Sequence, residues 1–299
     1  MATKTVDAQI VRPARTSYRG DWDYGEIARK VLVYGLLILL SAIFLFPLFW
    51  MLTSALKPEA QIFKWPPQWI PNPIRWQNFA DAFGNPQLPF PRFIANTLLV
   101  EAGVLSGRLI SCTLVAYGFA RLRAPGKNFL FTILLATLML PNAAVLIPQY
   151  ILFNEFGWIN TFLPLIVPAW FGNAYAIFLM RQFFMTIPRE LEEAALIDGA
   201  TTLKIIWSVI VPLSTPVLAV IAILTFKDTW NDFMTPLLYL SEPSKYTVAV
   251  GLAYFNGQYD VQMNLLMAAS FTLMLPIIIL FIFAQRAFVE GISLTGLKG

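Results

Sequence analysis

The sequence predicts an all-α polytopic membrane protein with six transmembrane helices. Three observations carry that expectation. Of 299 residues, 58% are hydrophobic and only 13% charged, about half the charged share of an ordinary soluble domain. The apolar residues gather in runs that reach or approach the roughly 20 residues needed to cross a bilayer. Lys and Arg crowd into alternate connections between those runs, which is the bias that orients membrane chains.

Composition also excludes several classes. The net charge of +4 is modest and the basic residues are placed by topology, so nucleic acid is not an expected partner. There is no histidine, and the one cysteine, Cys112, lies inside an apolar run. Zinc sites built on Cys and His, disulfides within the chain and His-dependent catalysis are therefore excluded. Gly126-Lys127 is followed by Asn128 and lacks the upstream glycine of a P-loop. With no acid–base pair or nucleophile constellation visible either, the chain is expected to be no enzyme and to hold no metal or cofactor.

Taken in order, residues 1–29 read as a polar cytoplasmic tail with Arg12, Arg15, Arg19 and Arg29. The first apolar run, 31–56, exceeds a signal-peptide core of roughly 7–15 residues, and no A-x-A-like site follows. It is expected to be a retained span. Residues 57–90 are polar and Pro-rich, with Trp65, Trp69 and Trp76 interleaved. Prolines at that density break long helices, and the tryptophans suggest a segment lying against the membrane interface.

Further spans are expected at 93–119, 129–152, 161–180, 210–230 and 263–284. Prolines 141, 148, 164, 168 and 216 inside them predict bent helices whose freed backbone groups are met by neighbours. Residues 30–290 thus form one transmembrane domain and 291–299 a short cytoplasmic tail. With the N-terminus inside, Arg121, Arg123, Lys127, Arg181, Arg189 and Lys204 all fall on the inner side. Glu101 and Arg108 lie within the second span, where charge is costly, so each is expected to face protein or water. Seven residues place them roughly 10 Å apart along a helix, too far for a direct pair. Gly103-x3-Gly107 on the same helix permits close helix packing.

The longest polar segment between two spans, about 186–212, is the informative one. Pro188 suits a helix start. Glu190, Glu192 and Glu193 then favour the positive end of the macrodipole. Leu191, Ala194 and Ala195 share a small apolar face. Gly199 is suited to end the helix in a left-handed turn. A second helix should run through Leu203, Ile206 and Ile210.

Here the residues carry a resemblance. Glu193-Ala194-Ala195, then Gly199, then Val209-Ile210-Val211-Pro212 resemble the Glu-Ala-Ala (EAA) loop of binding-protein-dependent ABC importer permeases, with Val209 standing for Ile and Val211 for Leu. That pattern continues to Gly and to Ile-x-Leu-Pro at the same spacing. Ser54-Ala55-Leu56-Lys57-Pro58, Ala116-Tyr117-Gly118-Phe119-Ala120-Arg121, Trp230-Asn231-Asp232-Phe233 and the ending Gly296-Leu297-Lys298-Gly299 resemble the carbohydrate branch. The likeness is to the six-span subunit of maltose-type importers and covers nearly everything after residue 30.

The resemblance implies that Leu191, Glu193, Ala194, Ala195, Asp198 and Gly199 couple the spans to a cytoplasmic ATPase. It implies a second homologous permease, two ATPase subunits that carry ATP and Mg, and an extracytoplasmic solute-binding protein. It implies a multi-pass cell-membrane protein with both termini cytoplasmic, moving sugars or oligosaccharides by alternating access. A polyol or glycerol phosphate importer is the alternative within the family, and a self-contained secondary transporter the alternative outside it.

Asp228, Trp230 and Asn231 supply the carboxylate, aromatic and amide groups that sugars meet, so they read either as substrate path or as an interfacial anchor. In the resembled subunit the last outer loop reaches into the binding protein. Here that loop, 253–260, offers Tyr254, Asn256 and Tyr259, which read as a binding-protein contact or a plain turn.

Overall fold

A computed structural model describes residues 24–86, 88–257 and 262–296, and among them it contains no strand. Residues up to Phe49 and those from Trp50 onward form two units. The first is dominated by helix α1, Tyr24–Ala55. None of its most apolar stretch is buried, as suits a helix that is apolar all round and meant for lipid or other helices.

In the second unit, Glu59–Gln61 forms one 3-10 turn and α2 spans Gln77–Phe83. Asn78 of α2 ties this connection down. Its Nδ2 donates to the carbonyls of Ala55 and Lys57 at 2.8 and 2.9 Å, and its Oδ1 accepts from Asn264 at 3.2 Å. Helix α3, Phe90–Arg121, runs unbroken for 32 residues, about 48 Å at 1.5 Å per residue. Then come α4, Lys127–Ala136, and α5, Asn142–Glu155. After them stand α6, Leu163–Ile166, a 3-10 stretch Val167–Phe171, and α7, Ala174–Phe184. Asn173 caps α7 by accepting from the Ala176 N–H at 2.9 Å.

Helix α8, Glu190–Ile197, and α9, Thr202–Ile205, lead into a π turn, Ile206–Ile210, and α10, Val211–Leu213. Helices α11, Thr215–Trp230, α12, Met234–Tyr239, α13, Val248–Gly257, and α14, Met263–Gly296, follow.

Helix α3 is the axis of packing. Its first half meets α2, α13 and α14 through Phe90, Phe93, Val250, Ala268 and Ala269, all fully buried. Its second half meets α7 and the α9–α11 run through Cys112, Ala116, Met180, Phe184 and Ile210. Between the two, Gly103 and Gly107 receive Ile166 and Trp170. A Cβ on Gly103 would stand 2.7 Å from Ile166 Cγ2, and one on Gly107 2.5 Å from Trp170 Nε1. The Gly-x3-Gly spacing is thus matched by a partner pair four residues apart, one contact per turn.

Four helical stretches among the described residues are long and apolar enough to cross a membrane: 25–55, 90–121, 163–184 and 263–285. Two bent pairs bring the number to six if each counts as one span. The expected third span, 129–152, is divided between α4 and α5. Pro141 and the residue before it, Leu140, are both extended (ψ 135° and 121°), since a residue ahead of proline is driven out of the helical region. The expected fifth span, 210–230, bends by 81° between Leu213 and Thr215. Pro216 has no N–H for the carbonyl of Pro212, and the Thr215 hydroxyl donates to that carbonyl at 2.7 Å instead. Helix α14 continues through Gly296, past the expected end of the last span at 284, so the residues read as a C-terminal tail are helical up to that point.

Candidate functional site

Two regions gather the functional candidates, one at each end of the path along α3. At the Arg121 end stands α8. Its N–H groups begin beside Glu190, Glu192 and Glu193, which complement the dipole. It closes with paired bonds: Ala200 N–H to Ala195 O at 2.9 Å and Gly199 N–H to Leu196 O at 3.0 Å. That pairing requires the intervening residue to be left-handed, and Gly199 has φ +76°.

Around this frame Leu191, Glu193, Ala194 and Asp198 are exposed and Ala195 is half-buried against the core. At the tip two apolar side chains stand open, Leu196 at 56% and Ile197 at 87% exposure. The face expected from Leu191, Ala194 and Ala195 is therefore divided, with Ala195 serving the fold.

The acidic residue that α8 buries is Glu192, which sequence reasoning passed over. Its Oε1 lies 2.7 Å from Arg121 Nε, and its Oε2 accepts from the Tyr117 hydroxyl at 3.1 Å. Arg121 also donates from Nη2 to the carbonyl of Ile187 at 2.5 Å.

Toward the other half of α3 lies a cavity of about 740 Å³. Arg108 lines it from α3, Gln149 from α5, Asn173 from the start of α7, and Asp228 and Asn231 from the end of α11. Tyr239 of α12 and Phe153 of α5 add aromatic rings, packed edge-on at 5.4 Å. Amides, hydroxyls, charges and ring faces around one space are what a hydroxyl-rich solute would meet, and the volume falls in the range of roughly 300–1,000 Å³ usual for ligand sites. Asn231 Nδ2 donates to the Lys227 carbonyl at 2.7 Å, which fixes the amide at the helix end. Lys227 and Asp228 pair at 3.6 Å, both largely exposed.

Trp230 is a correction. It does not line this cavity. It is 4% exposed, its indole N–H donates to the Leu273 carbonyl at 3.0 Å, and its ring stacks on Phe226 at 5.4 Å. Neighbours on a helix point about 100° apart, so while Asn231 lines the cavity the indole takes the face toward α14. Arg108 Nη1 donates to Thr225 at 3.3 Å. Glu101 is 4% exposed, and neither of its carboxylate oxygens has a hydrogen-bond partner among the described residues.

The expected loop at 253–260 is also corrected. It is helical as far as Gly257, because the apolar run Val248–Ala253 continues α13 into it. Tyr254 turns inward: its ring stacks on Tyr246 at 4.8 Å and its hydroxyl accepts from that of Tyr246 at 3.0 Å. Burial and the Tyr254 hydroxyl push Tyr246 up to about 12. Asn256 lies in the last turn of α13, and Tyr259 lies outside the described residues. Among the described residues, no group of three or more His, Cys, Asp or Glu is placed to hold a metal ion.

Residues 112–294 match the family model described as binding-protein-dependent transport system inner membrane component. The sn-glycerol-3-phosphate transport system permease protein UgpE of Yersinia pestis bv. Antiqua is 32% identical over 268 residues, 88% of this chain and 93% of that protein. The arabinooligosaccharides transport system permease protein AraQ of Halalkalibacterium halodurans is 31% identical over 262 residues, 87% and 93% of the two. In fold, the chain is similar to one in the crystal structure of a bacterial ABC transporter involved in the import of the acidic polysaccharide alginate. The TM-score is 0.79 over 89% of this chain and 98% of that one, at 22% identity.

Proposed function

The chain belongs to the family of binding-protein-dependent transport system inner membrane components and is the permease subunit of an ABC importer, and on that premise we propose how its parts divide the work. Helix α8 is the docking element. Leu191, Glu193, Ala194 and Asp198, with the apolar tip of Leu196 and Ile197, enter a cleft on a cytoplasmic ATPase, while Ala195 and Gly199 hold the helix and its turn in shape. Closure of the ATPase pair on ATP moves α8, and the spans exchange inward- for outward-facing states. ATP and Mg belong to those partner subunits.

The single observation that carries this reading is the exposed Glu193–Ala194 face, ended by a left-handed Gly199 and tipped by an open Ile197. Large apolar side chains held out on a short rigid helix are suited to a partner's cleft. On this reading each bent pair is one span, which makes six. Both termini share the cytoplasmic side with α8. A second, homologous permease completes the path, and an extracytoplasmic binding protein delivers solute.

The solute class is sugars or oligosaccharides, with a phosphorylated polyol next. Relatives in both classes support this, as does a cavity rich in amides and hydroxyls. Asn231 and Asp228 then face the solute, joined by Gln149, Asn173 and Tyr239. Asn256 and Tyr259 are assigned to the binding-protein contact, while Tyr254, stacked on Tyr246, serves the packing of α13.

A mild-detergent pull-down of the tagged chain from its native membrane tests the assembly. A P-loop ATPase and a second permease should co-elute. A chain that elutes alone, even after crosslinking, would sink the docking role and favour a self-contained transporter.

A further inference from the structure

The docking reading leaves open what makes α8 and the cavity move together. A displacement of α8 could be absorbed in two places before it reaches the cavity. Downstream, the chain passes through a π turn and then an 81° bend before α11 begins. Upstream, residues 185–189 form a short non-helical linker to α7.

We propose that the Arg121–Glu192 pair, steadied by Tyr117, is the strut that closes this gap. Arg121 is the last residue of α3. Its side chain is 5% exposed and that of Glu192 12%. The guanidinium reaches two bodies at once. Nε meets Glu192 on α8 at 2.7 Å, and Nη2 donates to the Ile187 carbonyl in the α7–α8 linker at 2.5 Å. The second carboxylate oxygen is held by Tyr117, one turn back on α3.

The contact is a close ion pair through one edge of the guanidinium, with Nη2 on the Ile187 carbonyl and Tyr117 on the other carboxylate oxygen, so three contacts fix the pair's position. Breaking such a pair strands a desolvated charge, so it resists separation as the helices move. Arg181 of α7 adds a parallel tie, donating from Nε to the Phe119 carbonyl at 3.3 Å. From Arg121, α3 runs without interruption to Arg108 in the cavity lining, about 20 Å away along the axis. The strut thus joins α8 to a single unbroken helix whose middle lines the cavity. These are positioning residues. They act through α3, and their role rests on the docking reading of α8.

The test uses the whole complex, permease pair, ATPase and binding protein, in lipid nanodiscs for hydrolysis and in proteoliposomes for uptake. The readout is solute imported per ATP hydrolysed. Glu192→Gln keeps the size but removes the charge and turns one accepting oxygen into a donating NH2. It should leave the ATPase bound and hydrolysing while the ratio falls at least fivefold, and Glu192→Asp should recover part of it. If Glu192→Gln fails to assemble, Tyr117→Phe and Arg121→Lys carry the same measurement, with a smaller fall expected.

Ala194→Arg, on the exposed face, is the control for docking and should detach the ATPase. If it does, and the ratio is unchanged in every strut variant that assembles, the strut is refuted and docking stands. If Ala194→Arg leaves the ATPase bound and coupled, the docking reading fails and the strut with it.

Discussion

Replacing Gly199 separates two reasons for a glycine at the end of α8. The residue sits at φ +76°, and a Cβ built there would meet nothing within 4 Å. Any cost inside the subunit is therefore torsional. For an L-residue the left-handed conformation costs roughly 1–2 kcal/mol, enough to shift the closed turn against its open forms about 5- to 30-fold. Asparagine, which visits this region with local hydrogen bonding, should cost distinctly less. A β-branched valine should cost more.

The expected order of ATPase affinity, measured with purified permease complex and ATPase subunit, is Gly, Asn, Ala, Val. Uptake should follow the same order. Gly199→Asp adds a negative charge beside Asp198 at the unfavourable end of the helix dipole, about 0.3–1 kcal/mol more than Asn. It is expected to abolish transport while the chain still inserts. If Asn proved as damaging as Val, the torsion would be irrelevant and the partner's cleft would be excluding any side chain. If Ala matched Gly, the left-handed turn would have no part in docking.

Three other outcomes follow from the packing and the cavity. Gly107→Ala drives a methyl into Trp170 and should destabilise by about 1–3 kcal/mol as overpacking; thermal unfolding should show a drop that Trp170→Ala relieves in the double variant, and an unchanged midpoint would refute the contact. Lys57 is fully buried, without a hydrogen-bond or ion-pair partner among the described residues, and stands over Trp50 at 4.1 Å. Burial holds its pKa below the usual lysine value. Between that lowered value and about 10.4 the unfolded chain binds more protons, so stability should rise with pH there. Lys57→Met should therefore raise the midpoint at pH 7 by an amount that shrinks toward pH 10, and a gain constant with pH would count against the charge. Finally, Arg108→Gln should alter the uptake rate with little change in thermal stability. Trp230→Phe, which loses the bond to Leu273, should do the reverse, costing about 1 kcal/mol; a strong uptake defect in Trp230→Phe at unchanged stability would put the indole back on the solute path.

Much of the architecture could be read from hydropathy. The second span, expected at 93–119, is α3 at 90–121, because a long apolar run with few charges leaves little else to form. The interruptions were less legible. A window averaged across Pro141 or Ser214 stays apolar whether the helix is straight or broken, and only local torsions distinguish the two. The left-handed Gly199 was readable because cap chemistry is local. Glu192 was not. Nothing nearby distinguishes it from Glu190 or Glu193, and its partner Tyr117 lies 75 residues away. Trp230 misled for a related reason. Composition announces an aromatic beside amides, but which face of α11 it takes depends on α14, contributed by a distant part of the chain.

The open tip of α8 bears on how the subunit must be produced. Ile197 and Leu196 are apolar side chains carried on a connection rather than within a span, and the proposed topology sets them in the aqueous phase. Made in excess of its ATPase, the subunit would present to chaperones and membrane-bound proteases the kind of exposed hydrophobic handle by which they recognise unassembled chains. Abundance of the permease should then track that of its partner, surplus copies being cleared after synthesis. The same two residues that serve transport would enforce stoichiometry.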